Sequence, residues 1–411
     1  MQATPRILSL ILCSAWTLNS QAGVFDFTAT MNGQVGQGSF ATAEEAANVY
    51  YEDKLKTIFP SYQGNEAINS VLNFRGMPIQ LAFPQQGKTT LTFQIPALEI
   101  NESFTGNTRN ESRDLLKEYL KNHTDLLEKM VHHLVSVSPV DPIAGNPNSL
   151  MSRAVANDAK LMWFGARNTT AVVAQGAEGS HRFGIGANFK HMRSDAVGNA
   201  KEMESDSYNL PITYAYQFPE ANHELIIDLP LGYTSTDGAT GYDGSLGVFY
   251  RRPIFENWVV SITGSGRGTF SRELAGAAVM GSGAIGSSYV WRGDDYAITL
   301  GNMLGYYKAL QITVDGKSFD PGIANTVFNN GLLYSRDSPW RFGADPLTWE
   351  AYIVDSRYSG TALFSNYQTE VGFTFGTMRP AHSKDADLRI GLSFTKGENV
   401  QAWQANFGAW F

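Results

Sequence analysis

From about residue 181 onward, apolar and polar residues alternate one for one, the period expected of strands with one greasy and one wet face. Phe183, Ile185, Ala187 and Phe189 alternate with Arg182, Gly184, Gly186, Asn188 and Lys190. Leu225, Ile227, Leu229, Leu231 and Tyr233 alternate with Ile226, Asp228, Pro230 and Gly232, and Leu388, Ile390, Leu392 and Phe394 with Arg389, Gly391, Ser393 and Thr395. The run 208–218 and the final Trp403, Ala405, Phe407, Ala409 and Phe411 repeat the pattern. The apolar faces in these registers carry no charge, whereas the opposite faces hold Arg182, Lys190, Asp228 and Arg389. An Arg or Lys facing mid-bilayer lipid costs roughly 2–4 kcal/mol and one facing a lumen does not. The pattern therefore favours a membrane barrel over a soluble sandwich, whose solvent faces would carry more Lys and Glu.

Strands are expected near 181–190, 207–218, 224–233, 244–252, 257–267, 274–291, 294–315, 328–336, 347–356, 367–377, 387–395 and 399–411. That makes about twelve, an even number, as a single-chain barrel with both ends on the periplasmic side requires. Connection lengths separate into long and short in the first half. In the second half 337–346, 378–386 and 396–398 do not, which leaves ten or fourteen strands open. Phe218, Trp258, Trp291, Tyr296, Trp340 and Phe411 fall at strand ends, where amphipathic rings suit a membrane interface. Pro211 and Pro230 cannot donate to a ladder, so a bulge or a local break is expected at each.

Residues 23–138 follow other periods. Thr42-Ala43-Glu44-Glu45 is a capping box opening a helix to about Leu55. Residues 71–83 and 89–95 read as strands. From Asn110 a long helix sets Leu115, Leu116, Tyr119, Leu120, Leu126, Leu127, Met130, Val131 and Leu134 on one stripe, which calls for packing on those strands in a small α+β domain. Pro139, Pro142, Gly145 and Pro147 mark a linker over 139–180, with a short helix at 149–160.

Composition narrows the class. The chain has 411 residues, 31 basic against 39 acidic, and a net charge of −8, which disfavours a nucleic-acid binder. Charged residues reach only 17%, aromatics 12%, and Gly numbers 40. Mean hydropathy is −0.21, and beyond the first 20 residues no run approaches the ~18 apolar residues of a membrane-spanning helix. Residues 1–22 read as a secretory leader: Arg6, an apolar stretch over 7–18, then Ser20-Gln21-Ala22. Cys13, the one cysteine, lies inside it, so the exported chain would have no disulfide.

Catalytic and cofactor motifs are weak. Gly281-Ser282-Gly283-Ala284-Ile285-Gly286 has dinucleotide-turn spacing without a following helix, and reads as close strand approach instead. His123, His132 and His133 fall on the long helix, and His181, His191, His223 and His382 at strand ends or turns, with no serine obviously paired to any of them. His132 and His133 are adjacent, a poor metal pair on a helix. No catalytic, metal or cofactor site is expected, although a lipid enzyme assembled from loops stays open.

The last strand, Gln404-Ala405-Asn406-Phe407-Gly408-Ala409-Trp410-Phe411, and the turn from Tyr250 to Trp258 resemble those of bacterial outer-membrane β-barrel proteins. The resemblance covers roughly 181–411 and the leader. It implies a mainly β, transmembrane antiparallel barrel in the outer membrane, bathed in its lipid, with Trp403, Phe407 and Phe411 as the signal read by the outer-membrane assembly machinery. The expected role is a passive or gated pore for small polar solutes, or a closed structural barrel whose interior is filled by side chains or by 149–160. Arg182, Lys190, Asp228, Arg251, Arg267 and Arg389 are the expected lumen-facing charges, and 23–138 is expected in the periplasm. A helix leading into a C-terminal barrel is also similar to the translocator unit of autotransporters, and on that alternative 23–160 is a displayed, adhesin-like passenger.

Overall fold

The computed structural model describes residues 23–164, 179–219, 223–314, 316–343, 345–377 and 388–409. The leader with Cys13, the loop residues 378–387 with His382, and Trp410 and Phe411 lie outside the described residues. Strands β1 (Phe25–Met31), β2 (Gln34–Phe40), β3 (Ile68–Phe74), β4 (Met77–Phe83), β5 (Leu91–Ile95) and β6 (Ile100–Phe104) form one antiparallel sheet in the order β2-β1-β3-β4-β5-β6. Alternation places Phe25, Phe27, Ala29 and Met31 of β1 in the core.

The sequence expectation of one strand over 71–83 is corrected to a hairpin. Arg75 and Gly76 both adopt positive φ, 54° and 100°, the two-residue turn whose twist matches its strands. A Cβ on Gly76 would meet the Val137 carbonyl at 2.5 Å, so close packing holds this turn as well.

Four helices cover the sheet: α1 (Ala43–Asn48), α2 (Glu52–Ile58), α3 (Arg109–Asn122) and α4 (Thr124–Val137). Thr42 caps α1, accepting from the Glu45 N–H at 3.1 Å as its capping box predicts. The helix expected to reach Leu55 breaks at Tyr51, which is extended. The long second helix breaks at His123 and is capped by Thr108 instead of opening at Asn110. Its stripe, Leu116, Leu126, Met130 and Leu134, shares a core with Phe27, Leu72, Ile79 and Phe93, so the sheet is the partner that the sequence called for.

On α4, burial and the neighbouring His132 hold the His133 imidazole below its ordinary 6.5. The unfolded chain therefore takes up the proton more readily, and stability falls as pH drops through that value. Amide exchange in α4, corrected for intrinsic rates, is expected to speed up between pH 7.5 and 5.5, and equal protection at both would refute this.

The remaining strands close into a ring: β7 (Ser180–Ser194), β8 (Met203–Leu210), β9 (Ile212–Gln217), β10 (Glu224–Asp228), β11 (Leu231–Thr236), β12 (Ala239–Phe255), β13 (Trp258–Ser271), β14 (Gly276–Arg292) and β15 (Tyr296–Leu310), then β18 (Ala324–Phe342), β19 (Asp345–Gly360), β20 (Tyr367–Thr377), β21 (Leu388–Gly397) and β22 (Val400–Ala409). A small hairpin, β16 (Ile312–Val314) and β17 (Lys317–Phe319), projects between β15 and β18.

Strands β8 with β9, and β10 with β11, each make one barrel strand interrupted at Pro211 and at Pro230, so the barrel has twelve. The proline carbonyls still accept, from Gly186 and Ser245, both at 3.1 Å; only the donor is lost. Pairing of β22 with β7, Ala405 opposite Phe189, closes the ring. Following register partners once around it from Pro253 returns to β12 at Ala239, fourteen residues away (253 less 239). With twelve strands that stagger gives a tilt of about 40°.

Helix α5 (Leu150–Ala159), continued by a π-helical turn over Lys160–Phe164, lies inside this ring. Its side chains bond strands on all sides: Asp228 of β10, Asp243 of β12, Arg267 of β13, Tyr307 of β15, Tyr358 of β19 and Gln368 of β20. No outside position reaches all of these. The segment before it is deeply buried, with Arg75 and Asp141 paired at 3.1 Å and each 1% exposed, between the α+β unit and the barrel mouth.

Candidate functional site

The site is the occupied lumen, built from the inward positions of the alternating strands. Asp158 sits at its centre, fully buried, accepting from Arg267 and, at 2.8 Å, from the Tyr307 hydroxyl. The adjacent Asn157 donates to Asp228 at 2.8 Å, and more than a turn earlier Arg153 meets Asp243 at 2.6 Å. Lower down, Trp163 is completely buried and donates to Asn329 at 3.0 Å. Its ring lies over Gly301 and Gly331, where a Cβ would overlap the indole. These register partners are glycine because an aromatic plate occupies their side-chain space.

The helix leans on β12 to β15, leaving a cavity of about 180 Å³ between it and β18 to β22, β7 and β8. Arg153, Lys160, Lys190, Arg389, Glu350 and Glu370 line it. Arg389 pairs with Glu350 at 3.2 Å and donates to Thr348 at 2.8 Å, while Glu370 accepts from Tyr352 at 2.8 Å. Lys190 donates to the Pro147 carbonyl at 3.3 Å.

Of the six charges singled out from sequence, Arg267 and Asp228 hold the helix, Lys190 holds the segment before it, and Arg389 borders the cavity. Arg182 and Arg251 converge on Glu224, away from the others, near the barrel termini. Sequence reading missed Arg153, Asp158, Glu224, Asp243, Glu350 and Glu370. Glu350 was within reach, since Thr348, Glu350, Tyr352, Val354 and Ser356 share one parity in β19. Arg153 and Asp158 were not singled out, although 149–160 was read as one possible filling of the lumen, because nothing in the sequence pairs these charges with particular strands.

The imidazole of His132 bonds the Pro321 carbonyl, that of His181 the Tyr214 hydroxyl, that of His191 the Asp206 carboxylate, and that of His223 the Tyr250 hydroxyl.

The outer wall is the complement of the lumen. Phe183 is 75% exposed, Leu392 66% and Trp403 62%, and the other apolar positions of the five registers up to Phe407 also face outward. Trp403 and Phe407 share this outer face of β22; Phe411 is outside the described residues. At the end holding the barrel termini, Phe218, Trp258, Trp291, Tyr296 and Trp340 are all exposed and form an aromatic rim. Along β15 the outward residues Tyr296, Ile298, Leu300, Leu304 and Tyr306, with Asn302 the one polar side chain among them, span ten positions, a belt about 25 Å tall at ~3.3 Å per residue and this tilt. A closed ring with an apolar belt of bilayer height leaves lipid as its solvent. This chain is a closed, membrane-spanning antiparallel β-barrel.

No family model and no curated sequence matches the barrel chain. Among solved structures it is similar to the β domain of the Bordetella autotransporter BrkA, at 12% identity and TM-score 0.39 over 56% of this chain and 99% of that one. The translocator domain of the autotransporter NalP from Neisseria meningitidis matches at 12% and 0.39, over 63% and 96%. The COG4313 outer-membrane channel from Pseudomonas putida F1 matches at 14% and 0.39, over 57% and 96%.

Proposed function

We propose that the barrel is a closed anchor which holds the α+β unit at the outer face of the outer membrane, tethered by a helix threaded through its lumen. One observation carries this reading: α5 enters beside Ser205 at one mouth and ends beside Ser288 at the other, so the unit and the barrel termini are at opposite ends. In an even-stranded barrel the termini are periplasmic, which supports an outer position for the unit, where the sequence expectation is the periplasm.

Contacts around the upper mouth support the same reading. Asp26 meets Lys201 at 2.9 Å, Ala43 N–H donates to Glu273 at 2.7 Å, Asp320 N–H to Glu128 at 2.7 Å, and Phe364 N–H to Val135 at 2.8 Å. Four barrel connections thus grip the unit. Trp403 and Phe407 serve the assembly machinery in this proposal, as outward aromatics of the final strand. A conduit for small polar solutes is the second reading, favoured by the charged cavity beside the helix.

Labelling with a membrane-impermeant maleimide tests the orientation, using Cys13→Ala chains. Gln86→Cys, exposed between β4 and β5, is expected to label fully on intact cells, and Glu256→Cys, exposed between β12 and β13, only after the outer membrane is permeabilised. The reverse pattern would return the unit to the periplasm.

A further inference from the structure

On the lipid-facing wall, polar side chains run side by side across four neighbouring strands. Ser287 of β14, Asn302 of β15, Asn330 of β18 and Asp355 of β19 are successive register partners. The outer two are satisfied within the chain. Ser287 accepts from the Trp258 indole at 2.8 Å, and Asp355 is bonded by Arg357 and by Thr369, both at 2.7 Å. The central two are exposed, and their carboxamides make no hydrogen bond among the described residues, not even with each other.

Their height matters. Asn302 stands six residues from Tyr296 at the aromatic rim and six from Lys308 at the other edge, and Asn330 six from Arg336 and six from Ala324. At ~3.3 Å per residue and about 40° of tilt, each is about 15 Å from either edge, at the level of the acyl chains. Lipid headgroups lie at the surfaces, and hydrocarbon offers neither donor nor acceptor. What satisfies these amides is protein, and only another membrane-spanning wall reaches that depth.

We propose that this face of the barrel is the interface with a second copy of the same chain, centred on Asn302 and Asn330. A carboxamide both donates and accepts, so the same pair opposed across a twofold axis satisfies itself, as an isologous contact requires. In the same row Asp355 is already paired within the chain with Arg357, while Arg252 borders the groove towards the aromatic rim. An open groove of about 640 Å³, lined by Asn302 and Asn330 themselves with Ile262, Ile285, Leu304 and Phe328, leaves a recess at the amides for side chains of the second copy.

The test is made on the full chain in native outer membranes, with Cys13→Ala as background. Leu304→Cys treated with a bis-maleimide is expected to give an adduct of twice the chain mass, while Phe183→Cys, six strands around the ring on the opposite wall, gives none. In detergent, sedimentation is expected to show a dimer whose association constant falls about tenfold or more in Asn302→Leu/Asn330→Leu, with heat-modifiable migration confirming that this variant is folded. A Leu304→Cys adduct of any other mass, or none, overturns the proposal, as does a folded double variant that dimerises like the parent. If the double variant does not fold, the Leu304→Cys adduct decides alone.

Discussion

Asp158→Ala is expected to cost about 3–5 kcal/mol of barrel stability, the usual consequence of removing one partner from a buried ion pair. Asp158 is 0% exposed and Arg267 4%, so the substitution strands a guanidinium inside the lumen and also removes the acceptor of the Tyr307 hydroxyl. The loss should exceed that of any surface pair, for example Arg272 with Glu44, where both side chains are solvated and exposed pairs contribute little. Urea unfolding of the detergent-purified chain, followed by tryptophan fluorescence, measures it. The paired change Asp158→Leu/Arg267→Met is expected to recover most of the loss, because an apolar pair of similar volume needs no desolvated charge. A loss below about 0.5 kcal/mol for Asp158→Ala would mean that the helix is not held by this residue.

The twelve strands were legible because lipid and lumen impose opposite demands on alternate residues. Phe183 and Arg182, or Ile390 and Arg389, announce their faces without any knowledge of neighbours. The prolines were legible for the same local reason: Pro211 and Pro230 lack a donor wherever they are placed. In the α+β unit, local rules gave the class but not the joints. Arg75-Gly76 carries a weaker turn signal than an Asn-Gly pair, so a hairpin read as one strand, and β1 and β2 went unread although Asn32-Gly33 joins them with both φ values positive.

The candidate site was half visible. Cations on inward strand positions stand out against glycine and serine, which brought Arg267 and Arg389 into view. Their partners could not be assigned, because Asp158 meets Arg267 across 109 residues and Glu350 of β19 meets Arg389 of β21 across the intervening β20. The lipid-facing amides, Asn302 and Asn330, break the alternation outright. They were the clearest departure from it within the barrel, yet in a list of strands they pass for imperfect registers.

Trp163→Ala is expected to open the barrel. The indole is 0% exposed, fills the lower lumen over Gly301 and Gly331, and is fixed by its hydrogen bond to Asn329. Its removal costs about 3–5 kcal/mol, as other buried Trp-to-Ala changes do, and leaves a void that is contiguous with polar lumen residues and so fills with water. Planar-bilayer recordings are expected to show stepwise currents for Trp163→Ala where the parent is nearly silent. Gly301→Leu should act in the same direction from the other partner, since its side chain takes the seat of the ring and pushes Lys160–Phe164 off the wall. The two variants differ in volume by opposite signs, so agreement between them identifies the Trp163 seat, not packing density in general, as what closes the lumen. Silence in both, with stability unchanged, would place the closure elsewhere, at the mouth where Arg75 and Asp141 meet.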